Sequence, residues 1–64
     1  MDGLEIKITR LRVGLKQYEL AARVGITQTK LSEIECGRLH PGPELMDRIL
    51  EVLEEVRGAE ATRD

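Results

Sequence analysis

Hydrophobic residues recur at helical spacing within four short segments of the chain, and glycines and prolines separate these segments. In none of the segments do apolar and polar residues alternate strictly, as they would in a half-buried strand. The pattern therefore predicts an all-α domain with four helices, at about 5–13, 17–24, 28–36 and 44–57.

The first two segments each end at a glycine. The apolar positions at helical spacing are Leu4, Ile8 and Leu11 in the first segment and Leu20, Ala21 and Val24 in the second. Gly14 and Gly25 can adopt the left-handed conformation that ends many helices. We therefore expect tight turns after both helices.

The third and fourth helices are separated by a loop that contains two prolines. Thr27 can cap the third helix, and Gly37 follows the end of that helix. Pro41 and Pro43 cannot both lie inside a helix, but Pro43 suits the first turn of the fourth. The inward stripe of the fourth helix is Leu45, Ile49, Val52, Leu53 and Val56. We expect residues 58–64 to form a frayed tail.

Length and composition limit the possible functions. The 64 residues allow one domain, 1–64, with little room for an enclosed substrate pocket. The only cysteine, Cys36, excludes an internal disulfide and a cysteine cluster for zinc. A lone thiol and no recognisable secretory signal fit a cytoplasmic protein. No apolar run approaches the roughly 20 residues that span a membrane.

The net charge of −2 is unevenly distributed. Residues 1–14 and residues 15–43 each carry a net charge of +1, whereas residues 44–64 carry −4. The acidic C-terminal part is expected to face away from any polyanionic partner. The weak positive charge of the rest predicts modest, salt-sensitive affinity for such a partner.

The spacing between Gln17 and Cys36 is the most informative feature. Two helices of about eight residues meet at a three-residue turn that begins with Gly25. Ala21 is small enough for a close helix crossing, and Gly25 tolerates positive φ. This is the geometry of a DNA-binding helix-turn-helix, which we place at residues 17–36.

Residues 15–37 resemble the Cro/cI/Xre family of prokaryotic and phage repressors, in particular lambdoid phage repressor DNA-binding domains. The matching residues are Gln17, Leu20, Ala21, Gly25, Ile34, Glu35, Gly37 and Pro41, and the resemblance spans about residues 6–53. It implies a compact four- to five-helix lambda-repressor-like fold in which residues 28–36 are the recognition helix. It also implies an ion pair between Arg10 and Glu35.

Three features depart from the family's pattern. Lys16 stands where the family often has a residue that caps the second helix, which weakens that cap. Glu33 stands where many members have a neutral or basic reader, which changes base preference. The chain after Leu53 is short and acidic where the family often has a fifth helix, which leaves the mode of dimerisation open.

The residues that face outward from the third helix are the candidates for DNA base contact: Thr27, Gln28, Thr29, Ser32 and Glu33. Gln28 can bond adenine through N6 and N7, and Glu33 can either accept from cytosine N4 or remain solvated. The candidates for phosphate contact are Lys16, Gln17, Lys30, Cys36, Arg38 and His40. His40 has no second metal ligand nearby in sequence, so we expect neither a metal nor a cofactor.

The function that these features predict is sequence-specific regulation of transcription, as a repressor that binds a near-palindromic operator. The expected partners are double-stranded DNA and a second copy, which would contact Met46, Leu50 and Leu53. The alternatives are an antitoxin that also binds a toxin protein, and an interaction module that has lost DNA binding. No nucleophile–base pair or phosphate loop is visible, so we do not expect an enzyme.

Overall fold

The computed structural model describes residues 2–61, with side chains described for residues 2–59, and in this part of the chain all regular structure is helical. The helices are α1 (Gly3–Arg12), α2 (Gln17–Val24), α3 (Gln28–Glu35) and α4 (Pro43–Ala61). The predicted all-α fold is confirmed. No described helix has both the length and the apolar character needed to cross a bilayer.

Three of the helices begin with a side-chain hydrogen bond to the backbone. Asp2 Oδ1 accepts from Glu5 N at 2.9 Å, and Thr27 Oγ1 accepts from Lys30 N at 3.1 Å. At α2 the Lys16 ammonium has no acceptor and cannot cap, but Glu19 Oε1 accepts from Lys16 N at 2.9 Å. The capping box of α2 is therefore half formed.

The turn between α2 and α3 depends on Gly25, whose φ is +88°. This left-handed conformation lets both Gly25 N and Ile26 N donate to Ala21 O, at 2.9 and 3.0 Å. Arg48, from α4, donates through Nη1 to Val24 O at 3.2 Å. The carbonyl groups of Ala21 and Val24, in the last turn of α2, thus accept hydrogen bonds, and the short turn fixes the direction of α3.

The core is aliphatic and lies between all four helices. α2 packs against α3 and α4, and α1 packs against α3. The buried apolar residues are Ile6, Val13, Leu15, Leu20, Ala21, Val24, Leu31, Ile34, Ile49 and Leu53. In the described part of the chain, each buried side-chain nitrogen or oxygen has a hydrogen-bond partner. The core therefore holds each element in one position without an orphaned polar group.

The buried side of α1 is not the side on which Leu4, Ile8 and Leu11 lie. Leu4, Ile8 and Leu11 are 60%, 42% and 58% exposed, whereas Ile6 and Arg10 are buried. Their spacing identified the helix, but the orientation of α1 is set by its contact with α3. The apolar stripe of α1 is therefore its outer face.

The N-terminus of α1 lies directly against the end of α3. A Cβ atom on Gly3 would overlap the carbonyl group of Ile34, so only glycine fits this crossing. About two turns further along α1, Arg10 reaches Glu35. These two contacts orient α1 on α3.

The last helix is longer than predicted. α4 extends through Ala61, so residues 58–61 are helical and not a frayed tail; residues 62–64 lie outside the described residues. Gly58 is not in the left-handed conformation and its neighbours are good helix formers, so it lowers stability without ending the helix. α1 also begins two residues earlier than predicted.

The predicted self-association residues differ in exposure. Leu53 is only 3% exposed and belongs to the core, so a second copy could reach little of it. Met46 is half-buried and packs against the core, and Leu50 is also half-buried. Dimerisation through Met46 and Leu50 stays a prediction.

Candidate nucleic-acid interface

One face of α3 is free of the core. Gln28, Thr29 and Glu33 are exposed and Ser32 is half-buried, while Leu31 and Ile34 face inward. An α-helix with its side chains is about 10–12 Å across, which is close to the width of the DNA major groove. The outward face of α3 is polar, so this helix can enter the groove while the core stays outside it.

The exposed face of α3 borders an open cleft of about 580 Å³, which we call the recognition cleft. Its lining residues are Gln17, Gln28, Thr29, Ser32, Glu33 and Arg38. All six were predicted to contact DNA bases or phosphates, and the fold brings them together from α2, α3 and the following loop. The acidic residues of α4 do not line this cleft.

A continuous chain of hydrogen bonds joins the recognition cleft to the core. Arg10 donates through Nε to Glu35 Oε2 at 2.9 Å and through Nη2 to Oε1 at 3.1 Å, which is the predicted ion pair in bidentate geometry. Gln17 Nε2 donates to Glu35 Oε1 at 3.2 Å, and Gln28 Nε2 donates to Gln17 Oε1 at 3.3 Å. This series of hydrogen bonds therefore ends at Gln28, the first residue of α3.

This chain determines which way the Gln28 amide points. One hydrogen of Nε2 is used by Gln17, which leaves the second hydrogen and Oε1 for a ligand. That pair can donate to adenine N7 and accept from adenine N6 at the same time. The hydrogen bond to Gln17 restricts the Gln28 amide before any ligand binds, which lowers the entropy lost in such a contact.

The loop after α3 holds Arg38 at the edge of the recognition cleft. Arg38 N and Leu39 N both donate to Glu33 O, at 2.9 and 3.2 Å, and Leu39 packs against the core. His40 lies on a different side, in a cleft that Asp2 and Met46 also line. The structure thus joins Arg38 to the candidate site but leaves His40 apart from it.

The remaining predicted contact residues near the helix-turn-helix do not line the recognition cleft. Thr27 caps α3, and Lys30 is exposed on the same helix. Lys16 is exposed before α2, with its Nζ 6.0 Å from the centre of the Tyr18 ring. Cys36 is exposed at the end of α3. None of these placements by itself tests a DNA contact.

A second cleft, of about 260 Å³, lies beside the first, and we call it the side cleft. It is lined by Lys7, Arg10, Gln17, Ser32, Glu35 and Cys36. Lys7 comes from α1 and was not among the predicted site residues. Its position three residues before Arg10 places the two on neighbouring turns of one helix, and this spacing was the only available signal.

Comparison with known families agrees with this geometry. The helix-turn-helix domain family matches residues 3–62, nearly the whole chain. The protein therefore belongs to the helix-turn-helix domain family, a class of DNA-binding domain. No curated protein and no solved structure matches the chain.

Proposed function

We propose that this protein is a non-enzymatic, sequence-specific transcriptional regulator of the Cro/cI/Xre type that acts as a repressor in the cytoplasm. It places α3 in the major groove, where Gln28 and Thr29 read bases. Gln17 and Arg38 then contact phosphates on either side of the groove. Glu33 accepts from cytosine N4 where that base is present.

The observation that carries this proposal is the hydrogen bond that joins Gln28 to Gln17. An exposed glutamine is normally free to rotate, yet here its amide is bonded to Gln17, which is itself bonded to the buried Glu35. Preorganised polar groups on a rigid element favour recognition of a defined ligand over general attraction to a polyanion.

We further propose that the regulator works as a homodimer. The recognition cleft contains one cation, Arg38, and one carboxylate, Glu33, so a single domain attracts DNA weakly. Two copies would place their recognition helices about 34 Å apart, one turn of DNA, and would double the number of base contacts. Met46 and Leu50 are the candidate contact residues on α4.

Replacement of Gln28 tests the proposed readout. Gln28→Ala should weaken binding to the best duplex selected by the wild type by about 5- to 150-fold, which corresponds to roughly 1–3 kcal/mol. Binding to unrelated DNA should not change, because the variant keeps every charge. Glu51→Ala, at an exposed position of α4, is the control and should bind both duplexes at least as well as the wild type.

The same assay separates the alternatives. Equal loss of affinity for selected and unrelated DNA in Gln28→Ala would contradict base reading. An interaction module that has lost DNA binding would show no salt-dependent binding to any duplex. An antitoxin would bind DNA as proposed and would also form a stable complex with the product of an adjacent small toxin gene.

A further inference from the structure

We propose that two copies of this protein pair through the outer stripe of α1, formed by Leu4, Ile8 and Leu11, with the two α1 helices antiparallel. The inference rests on the proposed homodimer and names the surface that joins its two halves. It places the main contact on α1, a helix that the sequence did not connect with self-association, and gives Met46 and Leu50 of α4 a secondary part.

The outer stripe holds three of the four large apolar side chains that are exposed in the described part of the chain. Leu4, Ile8 and Leu11 are 60%, 42% and 58% exposed, and the fourth such side chain, Tyr18, belongs to α2. The three follow one another at i, i+4 and i+7, so they share one face of α1. The two α4 candidates are already half-buried, so a partner would cover more apolar surface on α1 than on α4.

The charges beside the outer stripe favour a second copy in the antiparallel orientation. Glu5 and Arg12 are exposed on one flank of the stripe, two turns apart, and within residues 2–59 neither forms an ion pair. When two α1 helices run antiparallel, Glu5 of each copy stands opposite the partner's Arg12, which allows two symmetric ion pairs. Parallel helices would instead bring like charges together. The flank is therefore complementary to itself in one orientation only.

The packing of α1 against α3 suits a pair that binds DNA. The buried side of α1 contacts α3, so pairing through the opposite side leaves the two α3 helices at the outside of the dimer. Packed helix axes are about 8–10 Å apart, so the three successive contacts from one α3 to the other span about 24–30 Å. This separation is close to the roughly 34 Å between half-sites one turn of DNA apart.

The small size of the outer stripe limits the strength of the pairing. The stripe is about 10 Å long, so contact through α1 buries less than the roughly 800 Å² per partner that is usual in stable complexes. We therefore expect a dissociation constant on the order of 100 μM for the free protein. DNA with two half-sites would hold two copies close together and strengthen the contact.

Sedimentation equilibrium between about 10 μM and 1 mM protein tests the pairing in the absence of DNA. Ile8→Ser should raise the dissociation constant of the dimer by about 10-fold or more, because the lost apolar contact occurs twice in a symmetric pair. Tyr18→Ser is the matched control, since it removes a large side chain of similar exposure from α2. The control should keep the wild-type dissociation constant, and circular dichroism shows that both variants are folded.

Charge reversal tests the antiparallel orientation. Glu5→Arg alone and Arg12→Glu alone each bring like charges together across the pair, so each should weaken the dimer by about threefold or more. An equimolar mixture of the two variants restores both ion pairs in a heterodimer, which should be tighter than either homodimer. A mixture that associates no more tightly than the separate variants overturns the antiparallel pairing.

Two other results overturn the contact through α1. One is a wild type that remains monomeric at about 1 mM, and the other is an Ile8→Ser variant no weaker in association than Tyr18→Ser. A dimer that survives Ile8→Ser but is lost in Leu50→Ser would keep the proposed homodimer and place its contact on α4. Base reading by Gln28 is measured separately, so failure of the α1 contact is distinguishable from failure of DNA recognition.

Discussion

At the scale of single residues, Arg10 and Glu35 place two charges in a core that is otherwise aliphatic. Burial of an ion pair adds little net stability, because desolvation of the two groups offsets their attraction. Its value here lies in geometry. Arg10 also donates to Leu15 O at 2.9 Å, so one side chain ties α1, the turn before α2 and the end of α3 together.

Removal of one member of this pair should be far more damaging than removal of both. Glu35→Ala leaves the Arg10 guanidinium buried without its carboxylate and should lower the free energy of unfolding by about 3–5 kcal/mol. Arg10→Met combined with Glu35→Leu should recover most of that loss. Urea denaturation followed by circular dichroism measures both.

The outcome that would contradict this account is additivity. A double variant that loses as much stability as the sum of Arg10→Met alone and Glu35→Leu alone would show that the residues do not act as a pair. A loss below about 1 kcal/mol in Glu35→Ala would show that the guanidinium remains solvated.

The sequence predicted which residues belong to the ion pair and to the outer face of α3, but not every hydrogen bond between them. Arg10 and Glu35 were paired through the family resemblance, and Gln28 was identified because Leu31 and Ile34 had to face inward. The bond between Gln17 and Gln28 was not predicted, because it joins residues 11 positions apart through side-chain rotamers that only the assembled turn selects. Lys7 was not among the predicted site residues, because its place in the side cleft depends on how α1 packs against α3.

At the scale of elements, the crossing of α1 and α3 leaves no room for a side chain at Gly3. Gly3 allows the first turn of α1 to touch the backbone of Ile34. A flexible side chain could move aside from a new methyl group, but a helix carbonyl cannot move without distorting α3. The outer stripe of α1 has no such constraint.

Two glycine-to-alanine substitutions should therefore change stability in opposite directions. Helix propensity alone predicts that both would stabilise the protein, by about 0.5–1 kcal/mol. Gly58→Ala should do so, because a Cβ there meets no atom within 4 Å. Gly3→Ala should instead destabilise by about 1–3 kcal/mol through overpacking against Ile34. Thermal unfolding of both variants checks the signs.

The Gly58 variant is the internal control for this comparison, since it makes the same chemical change in a helix with open space around it. Stabilisation by Gly3→Ala would mean that α1 can shift away from α3 at little cost, and the orientation of the helix would then rest on Arg10 alone.

The limits of sequence prediction at this scale concern helix ends and faces. The bounds of α2 followed from Gln17 and Gly25, because a left-handed glycine ends a helix decisively. The end of α4 could not be predicted in this way, because a glycine at position 58 does not by itself show whether its φ is positive. The leucine stripe of α1 was ambiguous as well, because periodicity locates an apolar face without showing which partner covers it.

At the scale of the whole molecule, the two ends differ in charge. The exposed carboxylates of α4 lie on a helix that contributes nothing to the recognition cleft or the side cleft, while Arg38 lines the first and Lys7 the second. A molecule with this polarity approaches a polyanion with α3 foremost, although its net charge is −2. The fold class was predictable from the pattern alone, but the placement of charge around α3 required the structure.

The most direct test of the central claim is selection of binding sites from a random pool of duplex DNA. The account predicts enrichment of a near-palindromic site with two half-sites about one helical turn apart, each with an adenine whose preference disappears in Gln28→Ala. Failure of the pool to enrich for any sequence, while the protein remains folded, would contradict the claim that α3 reads DNA.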